Sequence, residues 1–235
     1  MLGPYSSRGE RVSGAALREG ALDGRRRPTS QNAGVLRRRS YPTLTSLQRD
    51  CRACRACAEA GHPIASGPVF EGHAGQPAIL VGQSPGAVEG AEGRPWRGRA
   101  GRTLRSWLSL DESAFYATCY CTSITRCYPG KSPAGRGDRT PATAEIALCR
   151  FWLDRELELL RPTLVVTVGG LAARNVLGLG RLTEHVGERL SLGKAAAIPL
   201  PHPSGASGWL NLPENRERLE RALALIRAEL AGKVV

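Results

Sequence analysis

The run Ile79-Leu80-Val81-Gly82-Gln83-Ser84-Pro85-Gly86 decides the fold. Its apolar half stops abruptly at a polar, glycine- and proline-containing half, which reads as a buried strand ending in a tight loop. Three more apolar runs follow. Phe115–Thr122 ends at Ser123, Leu164–Val168 ends in Gly169-Gly170, and Ala196–Leu200 ends in Pro201-His202-Pro203-Ser204-Gly205-Ala206-Ser207. Helical spacing separates them: Thr103–Leu110, a long helix from Pro141 to Leu160 with Pro162 at its end, Leu171–Leu177 and Pro213–Leu230. Strand and helix alternate, so the expected fold is α/β, a three-layer sandwich with a central, mostly parallel four-stranded sheet flanked by helices. In such a sheet the four strand ends share one edge, and ligands bind at that edge.

The chain has 235 residues, enough for one well-packed domain, and 41% of them are hydrophobic. No apolar run approaches the ~20 residues that span a bilayer, and the amino terminus lacks a signal-peptide apolar region. The expectation is therefore a soluble, cytoplasmic protein with no membrane partner. A net charge of +12 favours a polyanion, nucleic acid ahead of membrane, unless the arginines only solubilise the surface. Residues 1–45 hold nine arginines against three acids and lack periodicity. They read as a disordered basic arm, an early start site or, third, a transit peptide; residues 46–235 form the domain. The sequence carries no oligomeric signal, and a monomer is expected.

Seven cysteines, an odd number, point away from a disulfide framework and towards metal ligation or buried thiols. A short helix from Ser46 is expected to carry Cys51, Cys54 and Cys57, two overlapping C-x-x-C pairs. That spacing brings two sulfurs to one metal or cluster, although helical cysteines also bury as small hydrophobes. Cys127 and Cys149 are the partners available elsewhere, and their wide separation suits an Fe–S cluster at least as well as zinc. Cys119 and Cys121 read as core.

At the shared edge, His202 is bracketed by prolines and suits donation to an oxyanion or phosphate, or the capping of a turn. Ser204 and Ser207 with nearby amides suit a phosphate. Trp96 among Arg94, Arg97 and Arg99 combines an aromatic plane with cations, the composition for stacking a base; otherwise it anchors the core. Glu89 and Asp138 are the carboxylates placed to steer a water, or are solvated loop residues. Glu156 and Glu158 read as the exposed face of the long helix.

These motifs resemble the uracil-DNA glycosylase superfamily, its iron–sulfur (family 4) branch above all. The likeness is carried by Val81–Gly86 with Glu89, by Gly93–Gly101, by Cys127 and Cys149, and by His202-Pro203-Ser204, in order over about residues 50–230. The resemblance implies hydrolysis of the N-glycosidic bond of a deaminated base flipped out of DNA, in base excision repair. It implies a [4Fe-4S] cluster on Cys54, Cys57, Cys127 and Cys149, with Cys57 preferred to Cys51. Gln83 and neighbouring amides face the base or the water, His202 stabilises the departing base, and Trp96 stands for the family's stacking phenylalanine. Gly82, Ser84, Gly86, Ser123 and Ser204 complete the binding set, and Asp138 or Gln83 activates water. The chain also departs from the pattern. Gln83 stands where the branch has Glu, Ser123 replaces the Asn that reads uracil, and Gly86 leaves room for bases larger than uracil. Ala206 stands where relatives place a leucine wedge, which leaves strand separation to Trp209 or another residue. The rival readings are a non-catalytic binder of uracil or abasic sites in DNA, and a small-molecule nucleotide or phosphate binder.

Overall fold

The computed structural model describes residues 40–135, 137–204 and 208–231. All of them fall within one compact unit spanning Asn32–Val235. The expected basic arm lies outside the described residues except for residues 40–45, as do Arg136, Gly205, Ala206 and Ser207.

In chain order the elements are α1 (Leu44–Arg52), α2 (Ala56–Glu59), β1 (Ala78–Gly82), α3 (Ala87–Glu92), α4 (Arg99–Leu108), α5 (Glu112–Thr118), β2 (Cys119–Ser123), α6 (Thr143–Leu160), β3 (Leu164–Val168), α7 (Gly170–Leu177), α8 (Leu182–His185), β4 (Leu190–Leu192), β5 (Ala195–Leu200) and α9 (Pro213–Ala231). The sheet has five strands in the order β2-β1-β3-β5-β4. The first four are parallel; β4, which the sequence reading lacked, adds antiparallel to β5 at the edge. Only three residues long, it is too short to show alternation in sequence.

Strand side chains alternate between two cores. Leu80, Val166 and Ile198 meet Leu104, Phe115, Leu219 and Ile226 on one face. Ile79, Val81, Val165 and Ala197 meet Leu47, Trp152, Leu153 and Val176 on the other. Both faces are covered, which is why β1, β3 and β5 read as unbroken apolar runs.

Two local expectations are corrected. Phe115 and Tyr116 belong to α5, not to a strand, because the Asp111 side chain accepts from the Ala114 amide at 2.7 Å and caps a helix there. Only Cys119–Ser123 pairs in the sheet. The three clustered cysteines do not share a helix: Cys51 is in α1, Cys54 in the turn after it and Cys57 in α2.

The packed body also begins earlier than residue 46. Thr43 caps α1 by accepting from the Ser46 amide at 3.2 Å, and Tyr41 and Leu44 are buried against α6 residues Trp152 and Leu153. A chain starting at residue 46 is expected to lose about 3–5 kcal/mol in denaturant melts, from lost burial and a lost cap. One starting at residue 40 is expected to melt like the full chain.

Candidate active site and cysteine nest

Strand order reverses between β1 and β3, so a crevice opens beyond their carboxyl ends. It is a cleft of about 610 Å³. Its walls include Gly82, Gln83, Ser84, Gly86, Trp96, Ser123, Asp138, His202 and Ser204. The cleft residues singled out in the sequence, from five separate segments, thus meet in one place.

The loop after β1 is pinned to the segment after β2. Ile124 donates its amide to Gly82 O at 2.9 Å and Thr125 donates its amide to Gln83 O at 3.2 Å. That leaves the Gln83 side-chain amide without a protein partner among the described residues, at the cleft wall. Ser123 pairs in register with Gly82, and its hydroxyl donates to Thr125 O at 2.7 Å. With its proton engaged there, Ser123 offers the cleft a lone pair, hence an acceptor.

Trp96 anchors its loop and also lines the cleft. Its backbone is left-handed, with φ of 58°. Its carbonyl accepts from Arg105 Nη1 at 2.8 Å, and Gly101 packs so closely that an added Cβ would lie 1.8 Å from that oxygen. The indole lies over Gly82, where a Cβ would come within 3.1 Å of it. The rigid loop thus presents an aromatic wall.

The neighbouring cations behave otherwise than expected. Arg94 grips Glu71 through two bonds of 2.6 and 2.9 Å and stacks 3.8 Å from the Tyr116 ring centroid. Arg97 pairs with Glu92 at 2.7 Å and with Glu112. Both arginines hold the loop in place. Arg99, by contrast, is exposed at the cleft. Glu89 is structural too: its two carboxylate oxygens accept from the amides of Gly86 at 3.1 Å and Gly98 at 2.8 Å, locking the two loops together.

Asp138 stays at the cleft. Its Oδ1 accepts from Tyr128 Oη at 2.8 Å and lies 3.4 Å from Lys131 Nζ. A Cβ added to Gly86 would fall 3.1 Å from Asp138 Oδ2 and 2.8 Å from Glu89 Oε2, so glycine keeps the space before both carboxylates open. Neither Tyr128 nor Lys131 was singled out in the sequence. Only the Lys131–Asp138 bridge, turned by Gly135 and Gly137 with positive φ, brings the lysine round.

His202 lies against Gly169, whose φ of 90° no side chain would favour and whose added Cβ would come 3.5 Å from the ring. Its Nδ1 accepts from the Ser204 amide at 3.3 Å and lies 3.0 Å from Ser204 Oγ. Nδ1 as acceptor places the ring proton on Nε2. One edge of the ring stays open to the cleft while desolvation of the remainder lowers its pKa, favouring the neutral form. Trp209, offered as a strand-separating residue, is partly buried and packs against the core.

The cysteines form a second site. Cys51, Cys54, Cys57, Cys127 and Cys149 line a cavity of about 260 Å³ between α1, α2, α6 and the segment after β2. None of the chain's seven cysteines is in a disulfide. Burial, then the nearby Cys149, Cys57 and Cys54, pushes the Cys127 thiol up to about 12. Cys149 is also raised by burial, and its Sγ accepts from the Arg126 amide at 3.3 Å. No three Cys, His, Asp or Glu side chains among the described residues converge closely enough to hold a single metal ion. Cys119 and Cys121 are core, as expected: burial drives the first to about 12 and the second well above its ordinary value.

Beneath both sites lies a polar network missed in the sequence. Glu156 is not on an exposed face. It is 1% accessible and accepts from Arg126 Nη2 at 2.5 Å, Thr122 Oγ1 at 3.0 Å and Tyr120 Oη at 3.0 Å. Arg126, also 1% accessible, donates in addition to Ser123 O. Glu158, by contrast, is exposed as expected, paired with Arg155 at 2.6 Å. Helical spacing does separate the two glutamates, since Glu156 continues the buried stripe of Cys149, Trp152 and Leu153 whereas Glu158 lies on the opposite face. The charge of Glu156, not its position, made it read as exposed.

A family model described as the uracil DNA glycosylase superfamily matches residues 70–227, the span that builds the sheet and the cleft. The chain belongs to this superfamily. Among curated proteins, it is 28% identical to a type-4 uracil-DNA glycosylase of Archaeoglobus fulgidus over 81% of this chain and 94% of the relative. A type-4 uracil-DNA glycosylase of Thermotoga maritima is 30% identical over 58% of this chain and 69% of its own length. A type-5 uracil-DNA glycosylase of Pyrobaculum aerophilum is 34% identical over 50% of this chain and 51% of its own length. The superfamily match includes Cys127 and Cys149 but starts after Cys51, Cys54 and Cys57, so three of the nest's five cysteines lie outside it.

Proposed function

We propose that this chain is a monofunctional DNA glycosylase of the uracil-DNA glycosylase type. It hydrolyses the N-glycosidic bond of a deaminated base, uracil foremost, flipped out of DNA at the start of base excision repair. The observation that carries this reading is the meeting of Gln83, Trp96, Ser123, Asp138 and His202 on one cleft in a chain of this superfamily.

An extruded base enters the cleft and stacks on Trp96, with the Gln83 amide and the Ser123 lone pair against its edge. Asp138 Oδ2 takes a proton from a water as that water attacks the anomeric carbon, with the Gln83 amide placed to polarise it. The C–N bond breaks and its electron pair leaves with the base. His202 Nε2–H donates to the base oxygen on which negative charge develops, a donor aimed at the transition state more than at the ground state. Ser204 holds the ring in that tautomer, and Gly82, Ser84 and Gly86 keep the backbone close to the substrate.

The nest fits a [4Fe-4S] cluster on the chemistry of its donors: thiols ring a cavity larger than one ion needs, and an amide points at Cys149 Sγ. Cys54, Cys57, Cys127 and Cys149 are the proposed ligands, the set that the family resemblance implies, and all four line the cavity together with Cys51. Bound there, the cluster would cross-link the turn after α1, α2, α6 and the segment after β2. Replacing Cys57 by Ala is expected to abolish the protein's visible absorbance and iron content, whereas Cys51→Ala retains both. The reverse pattern would make Cys51 the ligand.

The partner is DNA, and the enzyme works as a cytoplasmic monomer; no helix among the described residues is long and apolar enough to cross a membrane. The deciding experiment is single-turnover base release from single- and double-stranded oligonucleotides carrying uracil, hypoxanthine or xanthine, read by alkaline strand cleavage. Release of free base establishes the enzyme. Tight binding without release would instead support a non-catalytic reader of uracil or abasic sites.

A further inference from the structure

Cys127 and Tyr128 are adjacent in sequence but serve different sites. Cys127 lines the cysteine nest, whereas Tyr128, 8% accessible, sends its hydroxyl to Asp138 at the cleft. Three contacts fix Tyr128. Its amide donates to Ser66 Oγ at 3.2 Å, and its carbonyl accepts from the Ala65 amide at 2.9 Å. Its Cβ packs so near Gly90 of α3 that a Cβ added there would come within 3.0 Å. The loop bearing Asp138 is held at its base by the Arg139 amide donating to Gly130 O at 2.9 Å, by the Ser132 amide donating to Gly137 O at 3.1 Å and by the Arg139 guanidinium on both Glu145 oxygens at 2.7 Å. None of these contacts orients the Asp138 carboxylate itself.

The carboxylate itself is asymmetric. Oδ1 receives the Tyr128 hydroxyl at 2.8 Å and faces Lys131 Nζ at 3.4 Å, whereas Oδ2 is the oxygen nearest the open space at Gly86. Lys131 is an exposed, flexible cation, so the buried phenol supplies the directional contact. A water-activating carboxylate needs one oxygen held and the other presented, since misplacement by an ångström is costly.

We propose that Tyr128 is a positioning residue of this site: its phenol clamps Asp138 Oδ1 so that Oδ2 is presented to the cleft. This rests on the reading of Asp138 as the group that activates water. Tyr128 touches neither the base nor the water.

The test compares the full-length protein with Tyr128→Phe, Asp138→Asn and the double variant in single-turnover base release from a uracil oligonucleotide. Melting, visible absorbance and oligonucleotide affinity are measured alongside. Tyr128→Phe is expected to slow release about tenfold or more, the weight of a hydrogen bond to a charged group, with melting, absorbance and affinity unchanged. In the Asp138→Asn background the same change is expected to have no further effect, because the clamp then has no carboxylate to aim. A wild-type rate in Tyr128→Phe with a slow Asp138→Asn overturns the clamp alone. Undiminished release by Asp138→Asn overturns the role of the carboxylate and the clamp with it. Additive losses, or a Tyr128→Phe protein with a lowered melt or bleached absorbance, would assign Tyr128 to packing and overturn the proposal. Absence of release by the unmodified protein removes the glycosylase reading itself.

Discussion

Replacing His202 by Ala is expected to slow base release about 10²–10³-fold, the usual cost of removing one donor from a developing anion. Affinity for uracil-containing DNA should change little, because the donor matters only as charge moves onto the base. His202→Gln, which keeps an amide donor in reach, should recover part of the loss. The geometry also sets a pH dependence. Burial lowers the pKa of this imidazole from its ordinary 6.5, and Nδ1 must be unprotonated to accept from the Ser204 amide. Between the lowered value and 6.5 the unfolded chain binds the proton more readily than the folded one. The stability held by the neutral ring is therefore complete above 6.5 and is lost as pH falls through the lowered value. The rate should follow the same acid limb, since protonation of Nδ1 ends its bond to Ser204. A pH–rate profile for the wild type, set against an acid limb absent from His202→Ala, checks this. Equal rates for the two proteins at neutral pH would remove His202 from the chemistry.

Glu156→Ala is the single substitution expected to cost most in stability, about 3–5 kcal/mol in denaturant melts, because it leaves the Arg126 guanidinium charged, buried and unpaired. Burial raises the Glu156 carboxyl, whereas Arg126, Thr122 and Tyr120 act in the opposite direction, so the network keeps the ionised form tolerable in the core. The loss should reach both sites. Arg126 holds Ser123 O on the cleft side, and its amide donates to Cys149 Sγ on the nest side. The variant should accordingly lose iron more readily than wild type when challenged with a chelator. Glu156→Gln retains hydrogen bonding without charge and should fall between. A melt of Glu156→Ala indistinguishable from wild type would show that the pair adds nothing to the fold.

The sequence went far with the sheet and the cleft, for a stated reason. Strands buried on both faces must be uniformly apolar, so Ile79–Val81, Leu164–Val168 and Ala196–Leu200 were visible, and a parallel sheet forces their ends to one edge. Gln83 and His202 lie just past two of those ends, Ser123 closes the neighbouring strand β2, and all three were legible for that reason. Strand β4 was too short to be seen, and an Asp111 cap turned Phe115 from strand to helix.

Charged side chains were the least legible, since a sequence states the charge and not its partner. Arg94 and Arg97, which suit a DNA backbone by composition, are held by Glu71, Glu92 and Glu112. Glu89 is a clasp between two loops, and Glu156 is the buried half of an ion pair with a residue thirty positions away. By itself, then, the sequence determined the α/β alternation, the shared edge and the spacing of the cysteines, all set by local period and chain order. Only the tertiary structure decided which partners each carboxylate at the cleft has, that Tyr128 donates to Asp138 and that Cys51, Cys54, Cys57, Cys127 and Cys149 surround one cavity. Those facts depend on contacts between distant segments, and side-chain periodicity carries no information about them.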